Sequence, residues 1–429
     1  MKRTIVAVYI VVAVTMFSAS IGLVLSGGGA KGGYEVGAWK ALIDLGIEIG
    51  GVYGTSVGSL NAAAVAQGDF WKALEVWQDI SESKVMNPTA EQKKLIDAYG
   101  GAEDWSIGEL FQGATDVIRK GIDVSPLKNL LTELISESAI RESGVDFGLV
   151  TFDLTDMRPE MLFIEDIPSG KLIDYIMASA DFPGFQTVRV DGKAFLDGGI
   201  YSNQPVEMAL QRGFKDIILI DIGRVALRDR IARVQALLQG ATVTHIVPRV
   251  QYGSTLDFDP EKTQLQIEEG YLDTLEAFGL VQGKYTYIFE GRDILGELFN
   301  SLTPEKVEEA IAIIGDPARW SSPAEFYADF LSSLENIYRV DMPTLHLLDR
   351  LAFLLGLESL NLYSAGELLD SIAGAYSLLG LERQEGSLVP YEKVVRFVIY
   401  LYDNAVLPEP PEKFDFFRAS FEELKRVKE

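Results

Sequence analysis

The chain has 429 residues, 48% of them hydrophobic, with no cysteine, two histidines and a formal net charge of −25. That length and apolar content suit globular domains with a sizeable core. The absence of cysteine excludes disulfides, thiolate metal sites and a cysteine nucleophile, and two histidines exclude a three-histidine metal site or an HExxH protease. The acidic balance, with no Lys/Arg run to offset it, excludes nucleic acid as a partner, so hydrolytic chemistry falls mainly to hydroxyls and carboxylates.

Residues 1–20 begin with Lys2 and Arg3, continue through an apolar stretch at 5–17 and end on Ser18, Ala19 and Ser20. This is the layout of a secretory signal peptide and predicts export, to the cell envelope or beyond it. Left uncleaved and joined to residues 21–25, the stretch is long enough for an N-terminal membrane anchor. Translation starting at Met16 would remove the leader and leave the protein cytoplasmic.

The apolar run 21–25 empties into a glycine cluster whose spacing, Gly27-x-Gly29-x-x-Gly32, matches a dinucleotide fingerprint; outward-pointing amides there could equally hold an oxyanion. A helix is predicted over 34–45, stopped by Gly46, then a strand over 47–53, the turn Gly54-Thr55-Ser56-Val57-Gly58 and a helix of small residues over 61–68. This strand–helix–strand–helix start predicts a parallel sheet with crossover helices. Residues 79–116 read as a polar, irregular cap insertion. Ser125-Pro126 reads as an N-cap with proline at the first helical position, opening a helix to about 137. Strands are expected over 147–152 and 160–164, a helix over 171–180, a hairpin turning at Asp191-Gly192 and ending in Asp197-Gly198-Gly199, and a buried strand over 216–222. Beyond about 291 the pattern is helical, over 304–314, 323–337, 343–355, 365–379 and 391–401. The leucine-rich stretch 345–357 is expected to be bundle core, because its polar face is narrow and not basic.

Gly54-Thr55-Ser56-Val57-Gly58 fits a nucleophile elbow, where small residues two before and two after the serine let backbones approach. Serine needs a base within hydrogen-bond reach. The order Ser56, Asp197, His245 allows a triad, whereas Asp197, at a strand end before two glycines, allows a dyad without histidine.

In this order, Gly27-Gly28-Gly29-Ala30-Lys31-Gly32, Gly54-Thr55-Ser56-Val57-Gly58 and Asp197-Gly198-Gly199 resemble the motifs of the patatin-like phospholipases. The connecting residues 146–155 and 177–206 agree. The likeness runs from about 21 to 222 and fades after about 279. It implies a three-layer α/β/α fold with a mainly parallel central sheet over 21–290, with an insertion at about 80–120 and a helical C-terminal region, 291–429, to which the resemblance does not extend. It implies that Ser56 is the acyl nucleophile and Asp197 the proton acceptor, with His245 structural. Oxyanion and substrate contacts fall to Gly27, Gly28, Gly29, Lys31, Gly32 and Val57, and Gly54, Gly58, Gly198 and Gly199 support the motifs. Lys31 stands where the family typically has arginine, keeping charge but losing the fork geometry. Phe182, Pro183 and Phe185 are expected to line an acyl pocket, and Asn203 to brace the Asp197 turn. Neither metal nor cofactor is implied. The expected partner is a lipid ester substrate, with peripheral membrane contact made through apolar surface rather than charge; no protein partner is indicated.

Two other readings stand beside this one. A nucleotide-binding oxidoreductase would need an acid near the end of the second strand, and Glu48 lies at that strand's start. A catalytically silent scaffold would use the helical region to bind a partner, against which Ser56 and Asp197 both argue.

Overall fold

A computed structural model of the chain describes residues 20–99, 121–289, 291–339, 342–378 and 392–426. The leader up to residue 19 and the later part of the expected insertion, 100–120, lie outside the described residues. The described residues fall into two compact units, 20–277 with 422–426, and 278–421.

The first unit alternates strands and helices: β1 (Ile21–Leu25), α1 (Gly33–Asp44), β2 (Ile49–Thr55), α2 (Val57–Gln67), α3 (Phe70–Gln78), α4 (Glu82–Val85), α5 (Ala90–Tyr99), α6 (Ser125–Leu134), α7 (Glu137–Glu142), β3 (Asp146–Asp153), β4 (Arg158–Phe163), α8 (Leu172–Ser179), β5 (Arg189–Val190), β6 (Lys193–Asp197), α9 (Val206–Gln211), β7 (Asp216–Ile220), α10 (Leu227–Leu238), β8 (Thr242–Ile246) and α11 (Pro260–Ala277). Five strands run parallel in the order β3-β2-β1-β7-β8. Strands β4 and β6 both pair antiparallel with β3, and β5 pairs with β6. Alternate residues explain the layering: Val24, Tyr53, Val150, Ile217 and Leu219 face α9 and α10, packing with Val206, Met208, Ala232 and Ala236. The opposite face is covered by α2, built of small residues, and the sandwich is three layers deep. Strand order reverses at β1, whose neighbours are β2 and β7, so ligand chemistry is expected outside the carboxyl ends of these strands.

Several expectations shift for local reasons. Strand β2 starts at Ile49 because residues 47 and 48 close the preceding turn, with Ile47 donating to Leu42 O and Glu48 O accepting from Ile21 N. Residues 79–99 are not irregular: α4 and α5 form there, and Ile80, Val85 and Met86 are buried. Ser125 is already inside its helix, whose cap position is Val124; the Asp123 carboxylate takes the Ser125 amide at 2.9 Å. That helix stops at Leu134, and Ser136 caps the next one by accepting from Ala139 N. The hairpin is as expected, with φ of 49° at Asp191 and 85° at Gly192, a turn whose twist matches its strands.

The second unit is mainly helical, comprising α12 (Ile294–Ser301), α13 (Pro304–Ile314), α14 (Pro323–Tyr338), α15 (Pro343–Leu354), α16 (Ala365–Leu378) and α17 (Glu392–Asn404); a last helix, Phe414–Lys425, runs out of it. Leu345, Leu347, Leu348 and Leu351 are buried in its core, so the 345–357 stripe is bundle core. Phe326, Phe330 and Phe397 stack at the centre, Phe330 and Phe397 at 5.1 Å.

Helix α1, which follows the glycine cluster, crosses α11 with no side chain between them. A Cβ on Gly37 would stand 1.9 Å from Ile267 O, and one on Gly270 would stand 2.0 Å from Tyr34 O. Buried Tyr34 Oη donates to Asp273 at 2.8 Å and Tyr271 Oη to Asp44 at 3.0 Å across the same crossing. Gly37→Ala is therefore expected to force the helices apart and destabilise the protein by about 1–3 kcal/mol, read as a lowered denaturant midpoint with unchanged slope. An unaltered midpoint would show that the crossing yields without cost.

Candidate active site

Ser56 occupies the joint between β2 and α2 with φ 53° and ψ −129°, a backbone conformation that non-glycine residues rarely adopt. The two motif glycines make the joint possible: a Cβ on Gly54 would sit 2.1 Å from Gly58 O, and one on Gly58 would sit 2.4 Å from Leu25 O. Hydrogen bonds hold the turn from both sides. Ser56 N donates to Ser179 Oγ at 3.0 Å, which itself donates to Val150 O; Ser59 donates to Ser56 O through both amide and hydroxyl.

Asp197 ends β6, opposite Thr151 of β3, and caps the one-turn helix Gly198–Ile200 by accepting from Gly199 N at 2.8 Å. The Ser56 side chain lies beside this carboxylate and favours its charged form. Burial pushes the Asp197 carboxyl up to about 6, although the Ser56 side chain and the Gly199 bond pull the other way. A Cβ on Gly198 would stand 2.2 Å from Val150 O, so the Asp-Gly-Gly run lets the chain turn hard against β3.

The glycine cluster follows β1 as a one-turn helix, Gly29–Lys31. Gly29 has φ 59° and no room for a Cβ, which would stand 2.1 Å from Thr255 O. Most amides here are already used: Gly27 N donates to Asn203 O, Ala30 N to Thr255 O, Lys31 N to Gly28 O and Gly32 N to Gly29 O. Among the described residues, the amides of Gly28, Gly29 and Val57 show no such partner, so of the loop donors expected from sequence Gly27 is committed elsewhere. Gly32 is buried beneath the Trp77 ring, and Lys31 is half-buried at the end of the turn. Asn203 braces this loop rather than the Asp197 turn alone: its Nδ2 donates to Gly27 O at 2.9 Å. Glu48 precedes β2, at the strand end away from the glycine cluster, and Ser56 occupies the place a ribose-binding acid would need.

His245 does not join Ser56 and Asp197. It sits on β8, and its Nε2 lies 2.9 Å from Asp221 Oδ2, where Arg233 also reaches at 3.3 Å. Burial raises the Asp221 carboxyl, but His245 and Arg233 more than offset this and hold it below the usual range. Asp181 escaped the sequence reading. It is buried beside Asp197, its backbone carbonyl accepts from Asp197 N at 2.9 Å, and its carboxyl is pushed up to about 7 by burial and by the Asp197 charge. Nothing in its spacing distinguishes it from the chain's other acids.

A largely apolar cavity opens on Ser56 and Gly29. Helix α2 forms its floor, contributing Val57, Leu60, Asn61, Ala64 and Gln67 at helical spacing over a length of about 16 Å. Ile80 and Val85 from the supposed irregular insertion and Leu131 and Leu134 of α6 form the facing wall. Phe182 and Phe185 line it as expected, whereas Pro183 does not. Gln67 closes the far end, donating to Leu134 O and accepting from Ser136 N.

A strained serine at the end of a parallel strand, beside a buried carboxylate and spare amides, is an arrangement of an α/β fold that suits a serine nucleophile. Residues 23–210 match the family model described as Patatin-like phospholipase, and this segment is a patatin-like phospholipase domain. The chain is 26% identical over 211 residues to "Patatin-like phospholipase domain-containing protein 7" of Rattus norvegicus, covering 48% of this chain and 14% of that one. It is 27% identical over 212 residues to "Lysophospholipase NTE1" of Mycosarcoma maydis, covering 48% and 10%. The match thus spans a small part of these relatives' length. Among solved structures, VipD from Legionella pneumophila aligns at a TM-score of 0.38 and 16% identity, covering 94% of this chain and 85% of that one.

Behind the glycine cluster lies Glu35, buried on α1. Asn61 Nδ2 donates to its Oε2 at 2.7 Å and to Gly32 O at 3.0 Å, and Trp77 Nε1 donates to Asn61 Oδ1 at 2.9 Å. Burial lifts the Glu35 carboxyl well above the ordinary carboxylate range, against the Asn61 bond. A carboxyl raised on folding contributes stability that is intact below its unfolded pKa and is lost as pH rises through the folded value. Wild-type stability relative to Glu35→Gln is therefore expected to fall as pH rises from about 4, the ordinary glutamate value, upward, read as diverging denaturant midpoints. Parallel midpoints across that range would mean that Glu35 titrates normally.

Proposed function

We propose that the protein hydrolyses acyl esters of lipids through a Ser56–Asp197 dyad. The observation that carries this reading is the strained Ser56 set beside the buried Asp197, whose charged form its side chain stabilises, at the mouth of a long apolar cavity. Ser56 Oγ attacks the ester carbonyl carbon while Asp197 accepts its proton, and the amides of Gly28 and Gly29, with Val57, receive the developing oxyanion. As the tetrahedral intermediate collapses, Asp197 returns the proton to the departing alcohol. Water then attacks the acyl-serine, giving its proton to Asp197, and the fatty acid leaves with Ser56 restored. A carboxylate of ordinary acidity is a weak base for this work, so the burial that lifts Asp197 supports its assignment. His245, engaged by Asp221, takes no part in this scheme. The names of the matching relatives, a phospholipase domain protein and a lysophospholipase, agree with a glycerolipid substrate.

Ser56→Ala is expected to lower kcat on lipid esters by at least about 10³-fold and to abolish labelling by a serine-reactive phosphonate; retained turnover would exclude the reading. Because Asp197 must be ionised, kcat/KM should fall below about pH 6, by about tenfold per pH unit. An acid limb near the ordinary aspartate value would contradict the buried base.

The acyl chain is assigned to the cavity along α2. Ala64→Phe places a ring halfway along that floor and is expected to lower kcat/KM for long-chain esters at least about tenfold, leaving butyrate esters within about twofold. Equal losses on both would place the acyl chain elsewhere.

A further inference from the structure

Helix α10 is amphipathic in an unusual sense, because its apolar side is the exposed one. Leu227, Ile231, Val234 and Leu238 recur at helical spacing, with Leu227 at 75% and Leu238 at 79% exposure, while the opposite face, Asp229, Ala232 and Ala236, is buried. The exposed patch continues past β8 at Val247 and Val250, and eight of the nineteen large apolar side chains exposed among the described residues lie between Val225 and Val250. The segment's own composition is basic as well, with acids of neighbouring elements pairing three of its arginines. From Gly223 to Val250 there are five arginines and one acid, in a chain whose net charge is −25. Arg228 pairs with Glu207, Arg233 with Asp221, and Arg249 with Asp273 and Glu276; Arg224 and Arg230 are exposed.

We propose that this face of α10 docks on a bilayer containing anionic phospholipid. An exposed leucine stripe flanked by arginine inserts its side chains at the boundary between headgroup and acyl region, while guanidinium groups meet lipid phosphate. A second copy supplies no acyl region for the stripe to enter, and two chains of net charge −25 repel one another. The inward face of the same helix supports the active site. Asp229 accepts from Ser202 Oγ at 2.8 Å, Asn203 N at 3.2 Å and Gln204 N at 3.1 Å, and Asn203 holds Gly27 O. A bilayer gripped by α10 therefore lies against the element that positions the glycine cluster. The choice of lipid as occupant rests on the acyl-ester reading of the cavity; the exposed stripe itself does not.

The test uses the full chain carrying Ser56→Ala, so that vesicles stay intact, with and without Leu227→Ser, Val234→Ser and Leu238→Ser together. In sedimentation with phosphatidylglycerol–phosphatidylcholine vesicles, the triple change is expected to weaken binding at least about tenfold, and binding should drop when phosphatidylglycerol is omitted or salt is raised. In the Ser56-intact chain, the triple variant should keep its turnover of a soluble butyrate ester, which also reports intact folding, and lose hydrolysis of vesicle lipid by a similar factor. Vesicle binding that is absent from the parent chain, or unchanged by the triple variant, would overturn the proposal. So would self-association of the parent, lost in the variant with vesicle binding unaffected, which would assign the face to a second copy. If the Ser56-intact chain hydrolyses no ester but the triple change still abolishes vesicle binding, docking stands and the acyl-ester reading falls. Equal hydrolysis of vesicle lipid by both forms removes docking alone.

Discussion

Where β2 runs into α2, three pieces of backbone press together without side chains between them: Gly54 against the Gly58 carbonyl, and Gly58 against the Leu25 carbonyl at the end of β1. No other residue fits at either glycine without separating the strand ends, and separation would release Ser56 from its positive φ. Because only Ser26 separates Leu25 from the glycine cluster, the contact that strains the serine also sets its distance to the loop amides. Ser56 and the spare donors are thus referenced to one point on the sheet. The hydrogen bonds from Ser59 to Ser56 O and from Ser56 N to Ser179 Oγ then keep the strain from relaxing.

Electrostatics at this point favours negative charge only when it is placed with care. Ser56 stands at the N-terminus of α2, where unpaired amides favour a developing oxyanion. Asp197 lacks such help beyond the Gly199 amide and the serine hydroxyl, and burial wins, leaving its carboxyl near 6. Its neighbour Asp181 is pushed up as well, first by burial and then by the Asp197 charge.

Much of this arrangement was legible in the sequence, because glycine spacing, strand periodicity and proline-started helices are local signals. Gly54 and Gly58, Asp191-Gly192 and the starts at Pro304, Pro323 and Pro343 each declare a backbone geometry by residue type. What stayed hidden depends on contacts distant in sequence. Residues 79–86 read as polar and irregular because α4 is a single turn and the periodicity is too short to register; only folding shows Ile80 and Val85 turned to the cavity. Asn203 was tied to the Asp197 turn by proximity in sequence, yet its amide reaches Gly27, 176 residues away. His245 follows Ser56 and Asp197 in an order that permits a triad, and strand β8 carries it to Asp221 instead.

The outward turn of α10 follows from the same long-range polar bonding. A leucine stripe of this kind would ordinarily face a core, and burying it would be favourable by about 25 cal/mol for every Å² covered. Here Asp229 fixes the opposite orientation. Its carboxylate collects Ser202, Asn203, Gln204 and Ala226, and rotating the helix would strand a buried carboxylate and several donors at once. Ala232 and Ala236 then let the helix lie close to the sheet, leaving no depth in which larger side chains on that side could fit. The polar brace behind Gly27 and the apolar stripe in solvent are therefore two faces of one constraint: the helix cannot hold the loop 202–204 without presenting its leucines outward.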